Sequence, residues 1–365
     1  MALSIGNTRF NLQQVIDRAI GRCKIPSQKI GAEHQSIARK NLQLVFADVI
    51  NKITPLWCQE KVFLGLYEDV GYVQLPQGTV DILVDGAYYR TGTRVGDSYI
   101  SSEGTASYAG DGDLSTATIQ TSINGNIQVQ FLSPTVVWYV GILPYGNNWW
   151  NLVFEASNDG LSWTTVQSVA APYGENATQY NDAVWSWYEI LSPTASGALF
   201  FRVRETSGGV LQLRELFLTD APYEIPISRL NRQQYDTLPN KSFNGRPLQY
   251  WLDRSTDPTT GEICTMRLWP VPGSESTFAS VFVRRKRYIA DITDFNAELE
   301  LPTRWYDAII WQLAGYLASE YPEVDDQREA KLVARAEAEL RDAISEERDN
   351  SPIQIDPNIS AYTRM

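Results

Sequence analysis

Four consecutive cations, Arg284, Arg285, Lys286 and Arg287, form the one concentrated positive charge in a chain of 365 residues. The chain carries 31 Lys and Arg against 43 Asp and Glu, a net charge of −12. Such a run can grip phosphate or carboxylate. In a strand, however, Arg284 and Lys286 face one way while Arg285 and Arg287 face the other, which halves the density a nucleic-acid clamp needs. Affinity for nucleic acid comes mostly from phosphate neutralisation, so an acidic chain is a poor candidate for gripping DNA, though not for a surface past which DNA slides. The run reads either as a salt-bridge surface between subunits or as a solvated strand end. Other reactive chemistry is sparse. There is a single histidine, His34, and no Gly-rich phosphate loop or Gly-x-Ser-x-Gly elbow. Cys23, Cys58 and Cys264 are widely spaced and odd in number, which implies neither a disulfide framework nor a zinc pattern. A glycosidase needs two carboxylates converging in a cleft, and the helical ends offer no catalytic domain for them. The expectation is a protein that is not an enzyme and requires no cofactor. Tyr145, Trp149, Trp150 and Tyr173 offer flat apolar faces, to a glycan, to a protein partner or to the core.

The elements that must position these residues follow from periodicity. Leu12, Val15, Ile16, Ala19, Ile20 and Cys23 lie on one face of a helix from about Phe10, stopped by Pro26. Leu42, Val45, Phe46, Val49, Ile50 and Ile53 mark a second helix from about Glu33, stopped by Pro55. Short apolar runs broken by Gly, Asp and Pro then read as strands. From Gly96 to about Asp220 the composition turns to Ser, Thr, Gly, Asn and Trp, and Lys is absent. The runs "NIQVQFL", "TVVWYVGIL", "NLVFEAS", "WTTVQSV", "ALFFRVRE" and "LQLRELFLTD" argue for a sandwich or barrel. Within it, "EASNDGLSWTTV" reads as a hairpin turning at Asp159-Gly160. Two further strands, "EICTMRLWPVP" and "STFASVFVRRKRYI", precede a helix over "LPTRWYDAIIWQLAGYLASEY". A last, charged helix from Asp325 to about Arg348 carries a narrow stripe of Leu332, Val333, Ala336, Leu340 and Ile344. The tail, residues 351–365, holds Ile353, Ile355, Ile359 and Tyr362 without a core of its own and is expected to order on a partner. With no secretory leader and no run of eighteen apolar residues, the expectation is a protein made in a cytoplasm and not inserted in a membrane.

Four motifs in order, "AGDGDLSTAT", "NIQVQFLSPTVVWYVGI", "FEASNDGLSWTTV" and "ALFFRVRETSGGVLQLRELFL", resemble the discoidin or coagulation-factor type C family of galactose-binding-like domains. Thr118 stands where many members carry Trp. The resemblance implies an eight-stranded jelly-roll that binds a carbohydrate or protein through loops at one end. It also implies a structural calcium site at Asp111, Asp113, Thr116 and the late Glu215.

The segments on either side, among them "GYVQLPQGTVDILVDGAYYRTGTR", "ISRLNRQQYDTLPNKSFNGRPLQYWLDR", "MRLWPVP" and "LPTRWYDAIIWQLAGYLASEYPE", are similar to the head-to-tail adaptors, or tail tubular proteins, of short-tailed bacteriophages. That resemblance implies a virion protein, assembled in the host cytoplasm. Its copies would form a ring, a dodecamer in the family, between a portal protein and a tail nozzle protein, with tail fibres or spikes as further partners. DNA would pass through the channel without sequence-specific binding. The expected fold class is α+β and multidomain, with helical segments at both ends and a small β-rich core interrupted by an inserted jelly-roll sandwich. The expected domains are 1–95 and 222–350 for the adaptor, 96–221 for the sandwich and 351–365 for the tail. Portal or subunit docking is expected at Arg284, Arg285, Lys286, Arg287, Leu332, Leu340, Ile344, Ile353, Ile355 and Tyr362. The alternative function is a receptor- or carbohydrate-binding tail component.

Overall fold

Apolar side chains at helical spacing near both ends of the chain become four long helices in the computed structural model. It describes residues 9–25, 30–53, 55–101, 103–123, 125–145, 151–170, 185–194, 196–220, 222–257, 261–289, 294 and 296–346. The helices are α1 (Leu12–Cys23), α2 (Ala32–Lys52), α3 (Arg232–Asp236), α4 (Trp305–Glu320) and α5 (Asp326–Glu346). Nineteen strands are described: β1 (Gln59–Gly65), β2 (Tyr72–Gln74), β3 (Thr79–Thr91), β4 (Ser98–Ser101), β5 (Thr118–Ile123), β6 (Asn126–Thr135), β7 (Tyr139–Pro144), β8 (Asn151–Ser157), β9 (Thr164–Ala170), β10 (Ser186–Glu189), β11 (Ala198–Glu205), β12 (Val210–Thr219), β13 (Tyr223–Pro226), β14 (Ser228–Leu230), β15 (Asn244–Gly245), β16 (Gln249–Asp257), β17 (Gly261–Trp269), β18 (Val271–Pro272) and β19 (Ser280–Arg287). The protein is thus mixed α+β and strand-rich, with several sheets. No helix among the described residues is long and apolar enough to cross a membrane.

The chain divides into two compact units, Met1–Gln59 with Tyr288–Met365, and Glu60–Arg287. In the first, α4 buries Trp305, Tyr306, Ile309, Ile310, Leu313, Leu317 and most of its small residues. A helix apolar nearly all round belongs in the centre of a bundle, and α1, α2 and α5 all pack on it. The narrow stripe of α5 is the stripe that meets α4, with Leu332, Ala336, Leu340 and Ala343 buried. Gln312 of α4 donates to the Ala336 carbonyl at 3.0 Å. At the other end of the chain, Asn11 and Gln14 close a reciprocal capping box on α1, satisfying two backbone N–H groups that the first turn leaves open.

The second unit holds four larger sheets. Strands β1-β19-β3-β13 form one and β14-β16-β17-β2 another, enclosing Leu64, Ile82, Met266, Leu268, Val281 and Val283. The chain leaves this body after Thr91 and returns at Tyr223, and those two residues are paired with each other. Between them lies a sandwich of two sheets, β10-β7-β12-β5 and β4-β6-β11-β8-β9, around Ile127, Val129, Phe154, Val203, Leu213 and Leu216. It shows nine described strands where the resemblance implied eight. Three of them, β4, β5 and β10, lie outside the six runs named from the sequence and are short or polar. The hairpin β8–β9 pairs Ala156 with Thr164, so its connection is longer than a two-residue turn. Gly160 takes the left-handed conformation at φ +70. The Asp159 carboxylate closes the loop by accepting from the backbone N–H of Leu161 at 2.8 Å and Ser162 at 2.7 Å. The strands flanking the sandwich fall in one compact unit with it, whereas the expected grouping joined them to the helices; the seam described next is the physical reason.

Candidate functional site

The outer side of the four-stranded sandwich sheet is not free. Alternation on β7, β10 and β12 turns Tyr139, Leu143, Trp187 and Phe217 outward, Trp185 just before β10 joins them, and all five are buried against Phe63, Tyr67, Leu114 and Phe278. The rings stack: Tyr139 on Trp187 at 5.1 Å, Trp187 on Trp185 at 5.0 Å and Phe217 on Phe278 at 5.5 Å between centroids. Two guanidinium groups lie in the seam. Arg90 sits 4.2 Å over Tyr139 and is paired with Glu189 and Glu224, and Arg94 sits 4.8 Å over Phe278. Tyr139 and Ser280 share a hydroxyl hydrogen bond of 2.5 Å. Burial raises the Tyr139 phenol far above its ordinary range. Close approach needs glycine: a Cβ at Gly141 would lie 2.3 Å from the Trp187 ring, and one at Gly65 would lie 2.6 Å from the Trp185 Cβ.

The other outer face, that of the five-stranded sheet, is open among the described residues, with Ile100, Gln130 and Thr165 exposed. Its registers align Ile100, Gln128, Arg202, Glu155 and Thr165 in one cross-strand row. Neighbouring rows add Ser98, Gln130 and Phe200 on one side, and Asn126, Arg204 and Val153 on the other. Glu155, only 4% exposed, accepts from Arg202 Nε at 2.7 Å and from Arg204 Nε and Nη2 at 3.1 Å each. Burial alone would raise its pKa, but the bonds from Arg204 and Arg202 outweigh it and hold the carboxyl below the ordinary range. Arg202 sits over one side of the half-exposed Trp163 ring, 4.0 Å from guanidinium carbon to ring centroid. With both oxygens taken by guanidinium groups, Glu155 is placed to orient the two arginines rather than to move protons. The arrangement can hold a polar, flat ligand. These residues escaped the sequence reading as a site, although "RVR" in β11 and the lone Glu of "NLVFEAS" were the signal: charges at alternate positions of otherwise apolar strands.

The expected sites fall elsewhere. Tyr145 is 38% exposed with Arg214 5.2 Å over its ring; Trp149, Trp150 and Tyr173 lie outside the described residues, as do Ile353, Ile355 and Tyr362. The Asp111–Thr116 loop does meet Glu215, but its oxygens are already engaged. Asp111 accepts from Asp113 N at 2.8 Å and Thr116 Oγ1 at 2.9 Å. Asp113 accepts from the N–H and hydroxyl of Ser115. The buried Glu215 accepts from Gly112 N at 2.5 Å and from Arg94, and burial pushes its pKa up to about 6 against the pull of Arg94. Calcium takes six to eight oxygens, and here a guanidinium already holds the cation's place beside Glu215. Among the described residues no group of three or more His, Cys, Asp or Glu is gathered to hold a metal. The set does not fit the expected ion.

The four-cation run is divided by the strand that carries it. Arg284 is exposed. Arg285 is 6% exposed and locked by Glu60 at 2.6 Å, the carbonyls of Pro76 and Gln77, and Thr79 Oγ1. Arg287 faces Glu60 at 3.7 Å, and Lys286 is half-buried. Arg285 is therefore a bolt within the β-body and not a docking cation. Leu332 and Leu340 are likewise consumed by α4, leaving Ile344 half-buried at the edge of a groove of about 550 Å³ between α2 and α5.

No family model and no curated protein sequence matches the chain. Solved structures that it resembles include carbohydrate-binding modules of the discoidin-like, galactose-binding-like kind. One is the CBM32 of AlyQ in complex with 4,5-unsaturated mannuronic acid, at 18% identity and TM-score 0.30, covering 35% of this chain and 99% of that one. Another is a pectin binding carbohydrate binding module, at 14% identity and TM-score 0.29, covering 35% and 94%. A third is the family 32 module of C. perfringens NanJ in complex with galactose, at 19% identity and TM-score 0.26, covering 36% and 98%.

Proposed function

We propose that the sandwich is a carbohydrate-binding module and that a glycan lies across the outer face of its five-stranded sheet. The observation that carries this reading is the contrast between the two faces. One is rich in stacked aromatic rings and buried in the seam; the other presents amides, two oriented guanidinium groups and an indole. A pyranose ring offers a flat C–H face for Trp163, and its hydroxyls match the donors of Arg204, Gln128 and Gln130. Planar arginine forks lose little freedom per bond formed, and Glu155 holds both in place before any ligand arrives. The role is binding rather than catalysis, because the face's carboxylate is saturated. Titration calorimetry of the full chain against a panel of neutral and acidic polysaccharides tests it. Binding that Trp163→Ala abolishes supports the reading; binding lost with Tyr145→Ala and unaffected by Trp163→Ala would move the site to the loop end.

A second reading concerns what carries the module. Helices from both ends of the chain share one bundle around α4, and β3 and β13 pair across the departure and return of the sandwich. This is the pattern of one host fold interrupted by an insertion, and it supports a head-to-tail adaptor of a short-tailed phage. Its partners would then be its own copies in a ring, a portal and a tail nozzle. Native mass spectrometry of the purified chain, alone and with a portal, is the test, and a protein that stays monomeric in both would end this reading.

A further inference from the structure

From the charges on the open face we infer that it selects glycans bearing carboxylates over neutral ones; this rests on the glycan reading above. Residues 96–220 contain twelve acidic and three basic residues and no Lys. Two of those three cations, Arg202 and Arg204, stand side by side on the open face, bound to the same carboxylate. One guanidinium would suffice to neutralise Glu155. The second leaves the row with a surplus positive charge inside a strongly acidic sandwich.

The geometry shows which donors remain. Arg202 spends its Nε and Nη2 on Glu155 and one flat side on Trp163. Arg204 spends its Nε and Nη2 likewise, and its side chain is 33% exposed against 16% for Arg202. The Nη1 edge of Arg204 is thus the accessible end of the pair. Asn126 stands across from it in register, Gln128 lies one row further along and the exposed Gln130 two rows along. A carboxylate on the sugar would take a charge-assisted pair of N–H donors from Arg204 while the ring covers Trp163. Because Glu155 already fixes the guanidinium plane, the anion meets donors that need no reordering.

The test uses one polymer in two charge states. Polygalacturonate and its fully methyl-esterified form share a backbone and differ only in the carboxylate. The full chain should bind the free acid at least about tenfold more tightly than the ester, the scale of one hydrogen bond to a charged group, and added salt should erode the difference. Arg204→Gln should remove the preference, whereas Arg204→Lys should keep its direction at lower affinity, because the charge survives without the fork. Equal binding of both polymers by the unmodified protein overturns the selectivity while leaving glycan binding standing. Binding of neither overturns both. A preference for the acid that Arg204→Gln leaves intact overturns the assignment to this face.

Discussion

Replacing Trp187 by alanine interrogates the seam most directly. The side chain is 6% exposed and lies in a stack, with Tyr139 at 5.1 Å on one side and Trp185 at 5.0 Å on the other. Phe217 meets its edge at 5.7 Å. Truncating a buried Trp costs about 3–5 kcal/mol from lost transfer energy and the cavity left behind, and ring pairs contribute about 0.5–1.5 kcal/mol beyond their area. The expected loss for Trp187→Ala is therefore about 4 kcal/mol in the stability of the unit spanning Glu60–Arg287. Urea unfolding followed by near-ultraviolet circular dichroism, which reports the stacked indoles, measures it. Trp163→Ala, a half-exposed position on the open face, serves as the control and should cost about 1 kcal/mol or less. If Trp187→Ala costs under about 1 kcal/mol, or if the unmodified sandwich melts apart from its flanking strands, the seam does not join them and the argument for a single usable face fails.

Arg285→Leu should destabilise the β-body by about 3 kcal/mol, since it leaves Glu60 with the longer Arg287 contact at 3.7 Å and strands three backbone or hydroxyl acceptors, whereas Arg284→Ala should stay within about 0.5 kcal/mol; thermal denaturation distinguishes the two. Burial pushes the Glu215 carboxyl up to about 6 from its ordinary 4.5, so the folded state binds its proton more readily than the unfolded chain. Its unfavourable contribution is fully present above pH 6 and relieved as the pH falls towards 4.5. The Glu215 contribution should change by about 2 kcal/mol across that window, read as the difference in stability between the unmodified protein and Glu215→Gln at the two pH values. A difference between the two proteins that does not change over that range would refute it. Chelator and added calcium should leave the melting curve unchanged, because an ion bound only by the folded state would shift it by mass action; a calcium-dependent rise would restore the ion to the Asp111–Thr116 loop.

What the sequence made legible was local. The stripe on α1 and the all-round apolar character of α4 can be read from residue order, because helical periodicity needs only neighbours in sequence. Alternation in β6, β8 and β11 is equally plain. The short strands β4, β5 and β10 were not legible, since "SYIS", "TIQTSI" and "SWYE" carry too few apolar positions to show a period. The seam was also hidden: Phe63, Tyr139, Trp187 and Phe278 come from four distant segments, and nothing in their spacing announces that they meet. Arg285 shows the limit from another side. Its alternation with Arg284 was readable, but whether an alternating cation points to solvent or into a body depends on Glu60 and Thr79, more than two hundred residues earlier in the chain.

The paired departure and return of the sandwich has a mechanical consequence. Where β3 meets β13, both connections to the body leave from the same spot, with Thr91 beside Tyr223. A tether of that kind, pulled from the far end, is loaded like a zipper, one hydrogen bond at a time. The stacked seam alters the path of the load. Tension applied at the open face must pass through the sandwich core into a broad aromatic contact that yields only if many rings slide together. The sandwich therefore behaves as a lever bolted along its flank, and a ligand held on its face would drag the whole β-body with it instead of stretching a hinge.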